Sequence, residues 1–110
     1  MGIELELRVT PAGRGKGRRD TVVRASHEHG ETLALALEAL VLPGQDRLSR
    51  IDPYRDTRFT GQDAEAALPE VADLLRRCTG PVQEAALRDL AGMLEACAAT
   101  PGSSLWFIGD

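Results

Sequence analysis

Ile3, Leu5, Leu7 and Val9 alternate strictly with Glu4, Glu6, Arg8 and Thr10. Period-2 alternation of this kind predicts a strand with one buried and one wet face. Pro11 ends it. A second strand is expected over Thr21–Ala25, which would close a hairpin with the first. Ser26 is a candidate N-cap, because Leu33, Leu37, Leu40 and Val41 then recur at helical spacing in a run of strong helix formers. Pro43-Gly44 stops that helix. Residues 45–61 read as a polar, turn-rich loop with Leu48, Ile51, Tyr54 and Phe59 as anchors to the core.

The clearest periodicity lies over residues 62–99. Ala64, Ala67, Leu68, Val71, Leu74, Leu75 and Cys78 share one helical face, opened by the capping pattern Thr60-x-x-Asp63. Pro69 either kinks this helix or starts its main body. Gly80-Pro81 separates a second helix whose stripe is Val82, Ala86, Leu87, Leu90, Met93, Leu94 and Cys97. So short a break makes the two helices antiparallel neighbours. After Thr100-Pro101-Gly102, the continuous apolar run Leu105-Trp106-Phe107-Ile108 is too short for a helix and fits a buried strand paired with the first. The expected fold is α+β, a single domain over residues 1–110. Its small sheet, an N-terminal hairpin plus the C-terminal strand, packs on one face against three helices.

Composition adds little that changes this picture. The chain has 110 residues, 43% of them hydrophobic and 27% charged, which suits one globular domain. The N-terminus lacks the pattern of a signal peptide, and no apolar run approaches the roughly 20 residues needed to span a bilayer. A cytoplasmic protein without membrane contact is the expectation. Cys78 and Cys97 fall at opposite ends of the predicted helix pair, on the order of 25 Å apart, and are read as reduced core residues. Arg supplies all the basic charge except Lys16, which suggests a GC-rich bacterial source.

Charge is uneven. Residues 1–24 hold six basic and three acidic groups, residues 59–110 three and eight. A basic end and an acidic end favour oriented association with another protein over nucleic-acid binding. Ala12-Gly13-Arg14-Gly15-Lys16-Gly17-Arg18-Arg19 predicts a mobile basic loop over 12–20. Arg14, Lys16, Arg18 and Arg19 could neutralise phosphates there, but the order of a P-loop is missing and no aromatic is interleaved for stacking.

Other candidate chemistry is sparse. His27 and His29 could both face a metal, yet position 31 is Glu and no third His exists. Ser103 and Ser104 lack a nucleophile elbow. The segment Arg50 to Thr60 is the most distinctive. Asp52 and Asp56 are expected to accept backbone and Arg hydrogen bonds, and Asp52, Tyr54, Arg55, Asp56 and Arg58 together make a protein-binding surface, since Arg and Tyr dominate interface hot spots. No cofactor is implied. An unpaired edge of so small a sheet can also support a homodimer.

Ile51-Asp52-Pro53-Tyr54-Arg55-Asp56-Thr57-Arg58-Phe59 before a helix, with the terminal Leu105-Trp106-Phe107-Ile108-Gly109-Asp110, resembles a group of small actinobacterial proteins of unassigned function. In that group an Asp-Pro-Tyr-x-Asp-Thr-x-Phe segment precedes a helical pair and a chain-ending strand. The resemblance covers residues 48–110 and carries no catalytic assignment. In size and acidity such proteins are similar to bacterial toxin-immunity proteins. The leading expectation is therefore a non-enzymatic protein-binding domain, with an immunity or inhibitor role as its concrete form. The alternative is an accessory enzyme or a ligand- or metal-binding protein using His27, His29 and the 50–60 loop.

Overall fold

In a computed structural model, which describes residues 2–10 and 20–109, the chain forms four strands and three helices. β1 (Ile3–Val9) and β2 (Thr21–Ser26) are followed by α1 (Gly30–Leu40). A short 3-10 turn (Leu48–Arg50) leads to β3 (Thr57–Thr60), then α2 (Gly61–Arg77), α3 (Pro81–Ala99) and β4 (Ser103–Gly109). The sheet has the order β2-β1-β4-β3 with every neighbour antiparallel. The predicted basic loop, with Arg14, Lys16, Arg18 and Arg19, lies outside the described residues.

The expected α+β architecture is present, and β4 does insert beside β1, over the full register Ile3–Gly109 to Val9–Ser103. One strand is present that the sequence pattern does not predict. Residues 57–60, expected to be loop, pair with β4 and complete its second edge. Phe59 enters the core there and meets Phe107 edge-on, with ring centroids 4.7 Å apart.

The helices cover one face of the sheet. Ile3, Leu5 and Leu7 of β1, Leu105 and Phe107 of β4 and Phe59 of β3 are buried against Leu33 and Leu37 of α1, Val71 and Leu74 of α2, and Leu87, Leu90, Met93 and Leu94 of α3. Thr60 caps α2 in the expected capping box: its Oγ accepts from the Asp63 N–H, and its own N–H donates back to the Asp63 carboxylate. Pro81 opens α3 at a first-turn position, where its missing N–H costs nothing. Pro69 does not start α2. It lies inside the helix on its exposed side.

Three further expectations are corrected. Ser26 does not cap α1; it ends β2 in register with Leu5, and the helix begins at Gly30 after His29. A β-carbon on Gly30 would stand 3.3 Å from the Ile3 carbonyl oxygen, so the close approach of this turn to β1 sets where the helix starts. Val82 is exposed, because the first turn of α3 overhangs the core. Tyr54 is no anchor: 68% of it is exposed. Cys78, at the end of α2, and Cys97, buried near the end of α3, are free thiols.

Candidate functional site

Strand alternation sends every second side chain to the sheet face that carries no helix. Register places these residues in rows. Ala25, Glu6, Trp106 and Arg58 cross the sheet in one row, and Val22, Arg8, Ser104 and Thr60 in the next. Glu4 and Ile108 form a third. Leu105-Trp106-Phe107-Ile108 is thus not buried throughout, as its unbroken apolar character suggested. Leu105 and Phe107 enter the core, while Trp106 and Ile108 lie half-buried on the open face.

Trp106 sits at the centre of this face, and its surroundings are polar. The Arg8 guanidinium stacks over the indole, 4.8 Å from the ring centroid, a contact worth about 0.5–1 kcal/mol at such a site. Arg8 is held there by two hydrogen bonds to Glu6 Oε1, of 3.0 and 2.7 Å. On the other side Arg58 donates from Nε to Ser104 Oγ at 3.0 Å. Among the described residues Arg58 has no carboxylate partner. The Trp106 Nε1–H is a buried donor with no acceptor, the only such side-chain atom among the described residues.

The 50–60 loop joins this face at Arg58. Asp52 makes the turn: its Oδ1 accepts the Tyr54 N–H at 2.8 Å, and its carbonyl accepts the Arg55 N–H at 3.3 Å, with Pro53 at the second turn position. This hydrogen bonding agrees with the expectation for Asp52. The expected Arg partner of either aspartate is not found, and the Asp56 carboxylate has no hydrogen bond or ion pair among the described residues. The turn lies directly across the end of β4. A β-carbon on Gly109 would fall 2.6 Å from the Pro53 carbonyl oxygen and 2.7 Å from the Arg55 nitrogen and oxygen. The Asp52-Pro53-Tyr54-Arg55 turn and Gly109 at the end of β4 therefore pack on each other. The glycine is the residue that permits it. Tyr54 and Arg55 are exposed on this turn.

The histidines do not converge. His27 Nδ1 lies 3.1 Å from Glu4 Oε2 on the surface, and His29 precedes α1 without a capping bond. Among the described residues no group of three or more His, Cys, Asp or Glu side chains is placed to hold a metal. Ser103 donates to the Cys97 and Thr100 carbonyls, closing the turn into β4, and no base approaches it.

The acidic C-terminal half is largely engaged within the protein. Asp63 pairs with Arg47 at 3.0 Å and Arg50 at 3.1 Å besides capping α2. Burial pushes its carboxyl up, but the Thr60 hydrogen bonds and the two guanidiniums outweigh that and hold it below the ordinary aspartate value. Glu70 accepts the Arg47 and Leu48 N–H groups at the start of the 3-10 turn. Asp73 takes Arg76, Arg77 and the amide of buried Gln45; the Arg77 hydrogen bonds are the main cause of its lowered pKa. Asp89 accepts from Ser26, and Glu84 from Arg88. The charge asymmetry seen in the sequence is therefore not a free acidic surface.

The chain matches no family model, and no curated protein or solved structure is similar to it at a significant level.

Proposed function

We propose that this protein is a non-enzymatic protein-binding domain, and that its contact surface is the open sheet face around Trp106 together with the adjoining 52–58 turn. One observation carries the reading: a half-buried Trp stands at the centre of a helix-free sheet face, flanked by two guanidiniums and bearing an indole N–H without an acceptor. Trp, Tyr and Arg are the residues that dominate interface hot spots, and this face with its turn presents Trp106, Tyr54, Arg8, Arg55 and Arg58.

The charge of the surface supports one kind of partner. Arg55 and Arg58 lack carboxylate partners among the described residues, whereas most carboxylates of α2 and α3 are engaged internally. The partner therefore offers acidic and carbonyl groups, and the acidic end of this chain is not what it reads. An inhibitor or immunity role stays within this proposal as one form of protein binding. Single-stranded nucleic acid fits less well: sheets that read it stack two or three bases on several aromatics, and this face offers one.

Affinity capture from cells of the native host tests the proposal. The wild-type protein should recover a specific partner, and a Tyr54→Ala, Arg58→Glu variant with unchanged melting behaviour should lose it. Identical recovery by both proteins, or recovery of nothing specific by the wild type, would overturn it.

A further inference from the structure

The outer edge of β2 has no neighbouring strand among the described residues. Five of its six residues are exposed and the sixth, Ser26, is partly so. Val22 and Val23 are 47% and 55% exposed. Edge strands are commonly blunted by Lys, Pro or a covering segment. No described residue covers this one, and neither Lys nor Pro lies in it. A register shift opposite Leu7/Arg8 interrupts the ladder near Val22–Val23 and leaves Arg24–Ser26 as the regular stretch.

We propose that this edge pairs with the same edge of a second copy of the chain, forming a two-fold dimer with one continuous antiparallel sheet. A two-fold contact requires a patch complementary to itself. The hollow beside the free edge has that property. It is lined by Arg24, Ala25, Ser26, His27, Glu28 and Asp89. Asp89 accepts the neutral Ser26 hydroxyl, and His27 lies beside Glu4. Arg24, Glu28 and Asp89 have no ion pair among the described residues, with each other or with any other group. Each protomer thus offers the cation of Arg24 and the anions of Glu28 and Asp89 at the edge.

Register decides whether they meet. Opposed residues of an antiparallel pair share a sheet face, so a two-fold axis normal to the sheet must pass through a residue of the regular stretch. Centred on Ala25, it sets Arg24 opposite Ser26 of the second copy. Glu28 of the second copy then follows two residues beyond Ser26, in the turn after β2, within reach of a long side chain. The symmetry repeats the Arg24–Glu28 pair. Helices of both copies stay on one side of the joined sheet, and both Trp106 faces stay open on the other. The dimer is therefore independent of the Trp106 proposal.

Two six-residue strands make a contact at the low end of interface size, so association should require high concentration. Sedimentation equilibrium from ~10 µM to ~1 mM should show the average mass rising from 11.8 kDa towards twice that value. Arg24→Glu and Glu28→Arg should each weaken association by about tenfold or more, through like-charge contacts. The double variant, with the charges exchanged, should return to within about threefold of wild type. Both positions are exposed, so matched melting curves serve as the folding control. A mass fixed at 11.8 kDa across the range would overturn the proposal. So would single variants that associate like wild type, or a double variant that fails to recover.

Discussion

Gly109→Ala tests how the 52–58 turn is held. An alanine β-carbon would stand 2.6–2.7 Å from three backbone atoms of Pro53 and Arg55, distances that real β-carbons essentially never show. None of these atoms is the end of a flexible side chain, so the turn itself has to lift by several tenths of an ångström. Its Asp52 hydrogen bonds and the direction of Tyr54 change with it. Overpacking of this kind costs roughly 1–3 kcal/mol. For a domain of this size that is a fall in melting temperature of roughly 4–12 °C. Gly44→Ala is the control, because nothing lies within 4 Å of its added carbon and a glycine in open space gains about 0.4–1 kcal/mol from alanine. Thermal melting reads the stability, and limited trypsin digestion reads the turn through cleavage after Arg55. A lower melting temperature and faster cleavage at Arg55 are expected for the Gly109 variant only. A Gly109→Ala protein as stable as wild type, with unchanged cleavage, would refute it.

Pro69 lies on the exposed side within α2 and removes one helical hydrogen bond, so Pro69→Ala should raise stability by about 1–3 kcal/mol in chemical denaturation; a loss would show that the proline shapes the helix usefully. Asp63 and Asp73 both have lowered folded pKa values, so their contribution is fully present above the ordinary aspartate value of about 3.9 and is lost as pH falls through the folded values. The melting temperature should therefore drop on acidification below about pH 4, and Asp63→Asn should flatten that acid limb while lowering stability at neutral pH. Truncation after Ser104 removes Leu105 and Phe107 from the core and strips β1 of one of its two partners and β3 of its only one. That loss is comparable to the whole stability of a small domain, so the truncated chain should show no cooperative transition by circular dichroism.

How much of this was legible depended on whether the deciding contact was local. β1, α2 and α3 carry their own periodicity, and the Thr60–Asp63 box and Gly80-Pro81 break are local chemistry. β3 was not readable: four residues with one buried side chain, Phe59, become a strand only because β4 needs a partner on its second edge. Tyr54 looked like an anchor because an aromatic among polar residues usually is one; the Asp52 turn turns it outward. Charge counts could not say which carboxylates were free, since the Arg47, Arg50 and Ser26 partners of α2 and α3 come from folding. Trp106 is the residue that sequence reading passed over, and a signal for it existed. With helices on one sheet face only, alternation must send two of Leu105, Trp106, Phe107 and Ile108 to the open side.

That residue also supplies the most direct test. Trp106 is the only Trp in the chain, so its emission reports the open sheet face without labelling. Titrating the captured partner into the protein should shift the Trp106 emission and protect it from acrylamide quenching, with the Arg58→Glu variant responding only at higher partner concentration. Emission and quenching that stay unchanged at saturating partner would contradict binding at this face.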